Sequence, residues 1–339
     1  MNSRQGRILP FIRSADQHPL PVIEWPDSVQ TILDADQAVA LATTTPARGV
    51  VIAPLTNFAA NDRARGTVTV NSSVGMWRKL QRIQQNPSVT VAFHTRAHAA
   101  TARPEFVLMQ GDATIGPLDR PHQWYDELGD RWERFGGQSR GVGPLWERWM
   151  RAYHWRVNIT ICVARVLIWS DLRCTEAPTV LGVPLPAPPL CQHPPTGGTR
   201  PRVDQRVAAA HARRYPNVLL GYVGSDGFPM VLPVQVTGSD PDGLELDCAQ
   251  ILPGGGRRAG MLAHSFSRYV VGQRQQSHTG WLDVTADRAV YSPHTQHGYH
   301  LPPSRSMYNL SAGYVTRRGV RSGQRAGFLP RTTPSGGGR

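Results

Sequence analysis

The chain has 339 residues and 37 Lys and Arg side chains, yet only one of these is a lysine, Lys79. Four cysteines are present (Cys162, Cys174, Cys191 and Cys248), and no two of them form a C-x-x-C pair. That excludes a disulfide scaffold and the common thiolate zinc motifs, and it points to reduced thiols. No apolar run approaches the roughly 18 residues that a membrane helix needs. The first residues, MNSRQGRILPFIRSADQ, contain no apolar core of signal-peptide length. The expectation is a cytoplasmic protein with no membrane span. Acidic residues are also few, 24 Asp and Glu, which leaves a formal charge of +13. A basic chain attracts polyanions. Here the arginines are scattered with no block of five, which speaks against nucleic acid and suits a small phosphate-bearing molecule.

Apolar periodicity divides what remains. Residues 1–24 are polar and aperiodic and are expected to form an arm. PDSVQTILDADQ places Val29, Ile32 and Leu33 on one helical face. The runs AVALATTT, GVVIAPLT, GTVTVNS, SVTVAFHT and EFVLMQGDATI read as strands. One short helix, residues 76–85, interrupts them, with Trp77, Leu80 and Ile83 on one face and Arg78 and Arg82 on another. Residues 118–155 show helical spacing with many aromatics and read as a helical insertion, before RVNITICVARVLIW returns to strand alternation. The proline-rich stretch within 175–204 reads as an extended linker. Residues 331–339 read as a tail.

After the linker the pattern restarts. Val39 to Pro54 and Val218 to Pro233 are equally spaced, His94 in VAFHT matches His264 in MLAHS, and Gly111 in FVLMQGDATI matches Gly280 in QQSHTGWLDV. Shared order and spacing indicate an internal duplication, a first unit over 25–174 and a second over 205–330. The copies differ between proline and histidine. The first has the helix MWRKLQRIQQNP, and the second has the glycine-rich ILPGGGRRAG in its place.

The succession VALATTTPARGVVIAPL, GTVTVNSS, WRKLQRIQQNP, SVTVAFHT and FVLMQGDATI resembles the flavin-binding split β-barrel family, which includes the pyridoxamine phosphate oxidases and flavin or deazaflavin oxidoreductases. The resemblance covers residues 37–115 well and the second copy more weakly. It implies a mainly β fold with peripheral helices, built as two tandem split β-barrels that form an intramolecular pseudo-dimer. The oligomer would be this monomeric pseudo-dimer or a homodimer. It implies an oxidoreductase acting on a small organic molecule with FMN or a deazaflavin (coenzyme F420) as cofactor. A heme-binding split barrel and a non-catalytic flavin binder are the alternatives. Carried over by position, Lys79 and Arg78 would hold the cofactor phosphate, with Asn71, Ser72 and Ser73 supplying further donors near the helix start. The second copy, without that helix, would bind no phosphate. Trp77 departs from the family pattern, where a small polar residue is common.

The matched pair His94 and His264 are candidate catalytic proton donors or, in the heme alternative, an axial ligand. Arg257, Arg258, Arg268 and the 294–300 stretch are candidates for covering the ring. His294, His297 and His300 recur every third residue, a spacing that does not converge on a metal, and no metal site is expected. No G-x-S-x-G, H-E-x-x-H or G-K-S/T motif appears, which excludes the corresponding hydrolase and nucleotidase chemistries.

Overall fold

A computed structural model describes residues 22–119, 124, 127–129, 131, 132 and 143–331. Most of the expected arm and tail, and part of the helical insertion, lie outside the described residues. The first half contains β1 (Ala38–Thr44), β2 (Val50–Thr56), β3 (Ala60–Asp62), β4 (Thr67–Ser73), β5 (Ser88–Phe93), β6 (Phe106–Ile115), β7 (Arg156–Trp169) and β8 (Thr179–Gly182). The second contains β9 (Asn217–Val223), β10 (Pro229–Pro233), β11 (Gln235–Asp240), β12 (Gly243–Asp247), β13 (Gly255–Ser265), β14 (Arg274–Val284) and β15 (Ala289–His300). The helices are α1 (Asp27–Ala35), α2 (Trp77–Gln85), α3 (Pro144–His154), α4 (Gln205–Ala212) and α5 (Arg305–Arg325).

The strands form two antiparallel sheets with the same path. The first runs β2-β1-β5-β6-β7-β4-β3 with β8 added beside β7, and the second runs β10-β9-β13-β14-β15-β12-β11. Strand for strand, the second order is the first repeated, so the duplication read from the sequence is a duplication of topology: two split barrels in tandem. Its sharpest marker is a matched bulge. The β6–β7 register shifts at Gln110/Gly111, and the β14–β15 register shifts at Thr279/Gly280. A Cβ on Gly111 would lie 2.0 Å from the Cys162 carbonyl oxygen, and one on Gly280 2.1 Å from that of Ser292. Only glycine lets the partner backbone approach so closely.

Side-chain alternation explains how the halves join. In β1, Val39 and Leu41 point into the first barrel with Val89, Val91, Val107 and Met109. The intervening Ala40 and Ala42 join Ala92, Phe106 and Leu108 in a core shared with the second half's Leu220, Met261 and Leu262. Both faces of β1 are buried, so its period is large against small rather than apolar against polar. The small face lets the second barrel close onto the first. Polar contacts cross this seam in both directions. Thr90 Oγ1 and Gln110 Nε2 donate to the Pro229 carbonyl, and Ser277 Oγ donates to that of Ile52. Arg165, fully buried, donates to Gln110 Oε1 at 2.6 Å and pairs with Asp226 of the second half at 2.8 Å.

The proline-rich stretch is not a free tether. Thr179–Gly182 pairs with β7, Arg165 donates to the Val183 and Pro184 carbonyls, and Arg257 donates to the Pro189 carbonyl. Prolines keep the strap extended and remove its own N–H donors. Buried arginines then satisfy its carbonyls.

His94 and His264 meet where the halves meet, Nε2 to Nε2 at 2.7 Å. Both are buried, at 5% and 1% exposure. His94 Nδ1 faces the Ala92 carbonyl at 3.1 Å. A carbonyl only accepts, so Nδ1 carries the hydrogen, and the bare Nε2 of neutral His94 accepts from His264 Nε2–H. Burial, first, and Arg96 push His94 down to about 4, while burial and the facing His94 hold His264 well below the usual range. The unfolded chain therefore binds protons below pH 6.5 that the folded chain refuses, so stability falls as pH drops through 6.5 toward 4, by about 1.4 kcal/mol per pH unit for each such histidine. His278, held near 4 mainly by burial, adds a third. The expected result is a Tm that drops steeply below pH 6.5. In the double variant His94→Leu/His264→Leu the share of that slope due to this pair should vanish in unfolding curves taken between pH 7 and 4.5, leaving the contributions of His278, His294 and, with opposite sign, Asp36. An unchanged slope would mean that the pair is protonated in the fold.

Candidate functional site

β4 delivers its last residues, Asn71, Ser72 and Ser73, into the seam between the barrels. Ser73 Oγ accepts from Gly75 N at 3.2 Å and closes a 3-10 turn, Val74–Met76, that leads directly into α2. Leu80 and Ile83 of α2 are buried in the first barrel. That orientation leaves Lys79, one position before Leu80, facing the seam. Lys79 is 7% exposed and donates to Ser72 Oγ at 3.3 Å. Arg78, one residue earlier, is exposed with its guanidinium over the Trp77 ring, and it does not line the cavity.

A second cation stands beside Lys79, and sequence reasoning missed it. Register places Arg156, the first residue of β7, opposite Ser73. It is 8% exposed, its Nε donates to Asn71 Oδ1, and its guanidinium lies 5.2–5.3 Å from the centroids of the Tyr153 and Trp132 rings. Asn71 in turn donates to Asn158 Oδ1 at 2.8 Å, and Asn158 donates to Glu127. The nearest carboxylate in this chain of contacts is thus two amides away. Only tertiary pairing brings Arg156 here. Its one sequence signal is that the strand after the insertion opens on an arginine.

The cavity that these residues enter has a volume of about 130 Å³. Its floor is β2 (Ala53 to Thr56), and one wall is the polar turn with Lys79 and Arg156. The second barrel supplies the facing wall through Gln273, Gln275 and Tyr299. α5 roofs it with Tyr308, Ala312, Val315 and Thr316. Among the described residues no carboxylate lines it. Burial, then Arg82 and Arg156, pushes Lys79 down to about 7. Burial also lowers Arg156. On the facing wall Tyr299 OH donates to Gln273 Oε1 at 2.8 Å, whereas Gln275 Oε1 is buried with no partner.

The remaining candidates lie elsewhere. Neither His94 nor His264 lines this cavity, and their mutual bond occupies the Nε2 atom of each ring. Arg257 is tied to carbonyls of the linker and its own loop. Residues 294–300 belong to β15, and no group of three side chains that could hold a metal ion occurs among the described residues. The counterpart position in the second copy is a groove of about 220 Å³ that includes Pro233, Val234, Asp247 and His94. Its one cation, Arg173, keeps a side chain 65% exposed and faces Asp247 at 3.9 Å. The two barrels therefore present one site with buried, uncompensated positive charge and one without.

No protein-family model matches the chain, and no curated protein matches it. Solved structures do. A conserved hypothetical protein from Mycobacterium tuberculosis is 19% identical, covering 48% of this chain and 95% of that one, with a TM-score of 0.32. A putative pyridoxamine 5'-phosphate oxidase from Listeria innocua is 16% identical, covering 43% and 98%, with a TM-score of 0.29. A pyridoxamine 5'-phosphate oxidase-related, FMN-binding protein from Nostoc punctiforme is 13% identical, covering 65% and 100%, with a TM-score of 0.31. Likenesses at this level say nothing of what this chain binds.

Lys79 yields a stability prediction. Its amine, at 10.5 when exposed and about 7 when folded, binds a proton more readily in the unfolded chain across that interval. The ligand-free protein should therefore gain stability as pH rises from 7 to 10. Lys79→Met removes the buried charge and keeps the volume. It should stabilise the ligand-free protein at pH 7 by about 1–4 kcal/mol and flatten the pH dependence. Chemical denaturation at pH 7 and 9 measures both, and a destabilised Met variant would show that the ammonium has a counter-charge.

Proposed function

We propose that the cavity holds the phosphate of a flavin or deazaflavin cofactor and that the protein is an oxidoreductase acting on a small organic molecule. The observation that carries this reading is the pair Lys79 and Arg156, two buried cations without a carboxylate in a cavity walled by both barrels. Cations desolvated without a partner are costly, and a bound anion repays that cost. The ordered motifs of residues 37–115 support a flavin over other phosphate-bearing molecules. The orphaned Gln275 oxygen supports it further, because it lines the cavity and can accept from a ring N–H. The cofactor, when bound, supplies the hydride or electron transfer. The protein's part is to clamp the phosphate between Lys79, Arg156, Ser72 and Ser73, to orient the ring from the second barrel, and to exclude water with α5. Because the chain builds both walls itself, one cofactor per chain is expected whatever the oligomeric state. The flavin reading is favoured over the heme alternative because the matched histidines bond to each other and do not line this cavity.

Titrating the ligand-free protein with FMN and with a deazaflavin, by calorimetry or flavin fluorescence, tests the reading. One site per chain is expected for at least one of them. Lys79→Ala should weaken it by about 1.5–3 kcal/mol, roughly 10- to 150-fold. Two equal sites, or an unchanged affinity in the folded variant, would sink the assignment.

Affinity should also depend on pH with a defined sign. The bound phosphate favours protonated Lys79, so above its free value of about 7 binding takes up a proton. Affinity then falls by up to about tenfold per pH unit, and below pH ~6 the phosphate itself loses charge. Kd measured from pH 5.5 to 9 should be lowest between about 6 and 7. Lys79→Met should remove the alkaline limb.

A further inference from the structure

We infer that the outer face of α5 docks the protein onto an anionic lipid surface, whatever the cavity beneath it binds. α5 has two faces of different character. Asn309, Ala312, Gly313, Thr316, Val320 and Gly323 are buried on the inner one. The outer one presents Met307, Leu310, Tyr314, Arg318, Arg321 and Arg325, at steps of three and four, and all six are exposed. That spacing draws a single line along the helix, about 27 Å long. Its first half is apolar, with Met307, Leu310 and Tyr314 at 50%, 43% and 56% exposure. Its second half is cationic. α5 holds five arginines and no acidic residue. Among the described residues none of Arg318, Arg321 and Arg325 meets a carboxylate.

α3 widens the same surface. Arg317 donates to the Arg148 and Trp149 carbonyls, while Tyr153 lies against Tyr308, so the two helices run antiparallel. Leu145, one turn before Trp149, therefore falls beside the arginine half, and it is 82% exposed. Single apolar residues scattered over a surface are ordinary. Here four of the ten large apolar side chains that are exposed among the described residues sit on this one helix pair, which makes them a patch and not scatter.

The order of these side chains selects the partner. A duplex nucleic acid would meet the arginines with its phosphates and offer little to Met307, Leu310 and Tyr314. A second copy of α5 fails in either direction. Parallel pairing sets arginine on arginine, and antiparallel pairing covers each cationic half with the other copy's apolar half and no counter-charge. An anionic membrane offers phosphate headgroups and acyl chains at adjacent depths. Arginines of an interfacial helix attract the headgroups while its apolar side chains sink to the acyl boundary, with tyrosine at the level between. Such attachment is peripheral, and no described helix is long and apolar enough to cross a membrane. The inner face of α5 roofs the cavity through Tyr308, Ala312, Val315 and Thr316. Docking therefore sets that cavity one helix diameter, about 10 Å, from the lipid.

Flotation of the full-length protein with lipid vesicles tests this. Vesicles of phosphatidylcholine alone should carry almost none of it, and vesicles of equal parts phosphatidylcholine and phosphatidylglycerol should carry it upward. Each arginine near an anionic leaflet strengthens binding roughly fivefold. The variant Arg318→Gln/Arg321→Gln/Arg325→Gln should therefore partition about 100-fold more weakly. A chain of formal charge +13 also adsorbs to polyanions in general, so a control removes the same charge elsewhere. Arg200→Gln/Arg206→Gln/Arg214→Gln alters exposed arginines of the linker and the second unit, and it should lose less than about tenfold, because charges held beyond a Debye length from the lipid are screened. Leu310→Ser/Tyr314→Ser keeps every charge and should still weaken partition about tenfold by removing the inserted apolar groups. Equal loss in the control, or no loss in the serine variant, would reduce the binding to unspecific charge and overturn the docking. Binding to duplex DNA or to polyglutamate without binding to the anionic vesicles would overturn it as well.

Discussion

Burying Lys79 and Arg156 side by side is the constraint around which the rest of the structure is arranged. A lone ammonium taken out of water is unfavourable by several kcal/mol, and burial has already moved Lys79 to about 7. Such a site exists only if everything around it is held by stronger forces. The first barrel's core fixes α2 through Leu80 and Ile83. The shared core fixes the second barrel against the first, and with it the wall of Gln273, Gln275 and Tyr299. α5 then covers the turn, anchored by Val320 in the first barrel's core and by Arg317 donating to the Trp149 carbonyl while lying over that ring at 4.3 Å. Removing any of these would admit water and relieve the cations of their desolvation.

Duplication made this arrangement available in one chain. The two sheets keep the same strand path and the same bulge glycine. They diverge where the first copy inserts α3 between β6 and β7, and where it carries α2, for which the second copy has only residues 248–254 between β12 and β13. Losing that helix frees Arg257 and Arg258 of the second copy for structural work. Arg257 ties the linker down, and Arg258 donates to Gln192 Oε1 and the His193 carbonyl. A basic residue near the corresponding place in the chain is thus not a basic residue with the corresponding task.

How much of this was legible beforehand follows the range of the interactions involved. Alternation within a strand is local, and AVALATTT, SVTVAFHT and FVLMQGDATI all form strands. The repeat was legible because Gly111 and Gly280 answer the same steric demand. Lys79, Ser72 and Ser73 line one cavity, next to one another as their order along β4 and α2 implies, while Asn71 stands behind them and holds Arg156. Arg78 and Lys79 could not be separated from sequence, since which neighbour faces inward depends on which face of α2 the barrel core claims. Arg156 and Gln275 depend on register across strands far apart in the chain. α5 was read only as part of the second unit, yet it roofs the first unit's turn. His94 and His264 match between the copies in sequence, but that they bond to each other depends on how the barrels meet. Two residues equivalent in a duplication can lie close to the axis that relates the copies, and then each is the other's partner.

That last geometry carries a consequence for proton placement. In a dimer of identical chains, a residue on the twofold axis faces its own copy, and a single hydrogen shared between the two must be statistically disordered between equivalent positions. Here the two rings belong to different stretches of one chain. The Ala92 carbonyl holds a hydrogen on Nδ1 of His94, which leaves His94 Nε2 to accept from the facing His264 ring. Within one chain the hydrogen bond is therefore directional, with the donor on the second barrel. The same freedom to treat equivalent positions unequally lets one barrel keep its cations while the other dispenses with them.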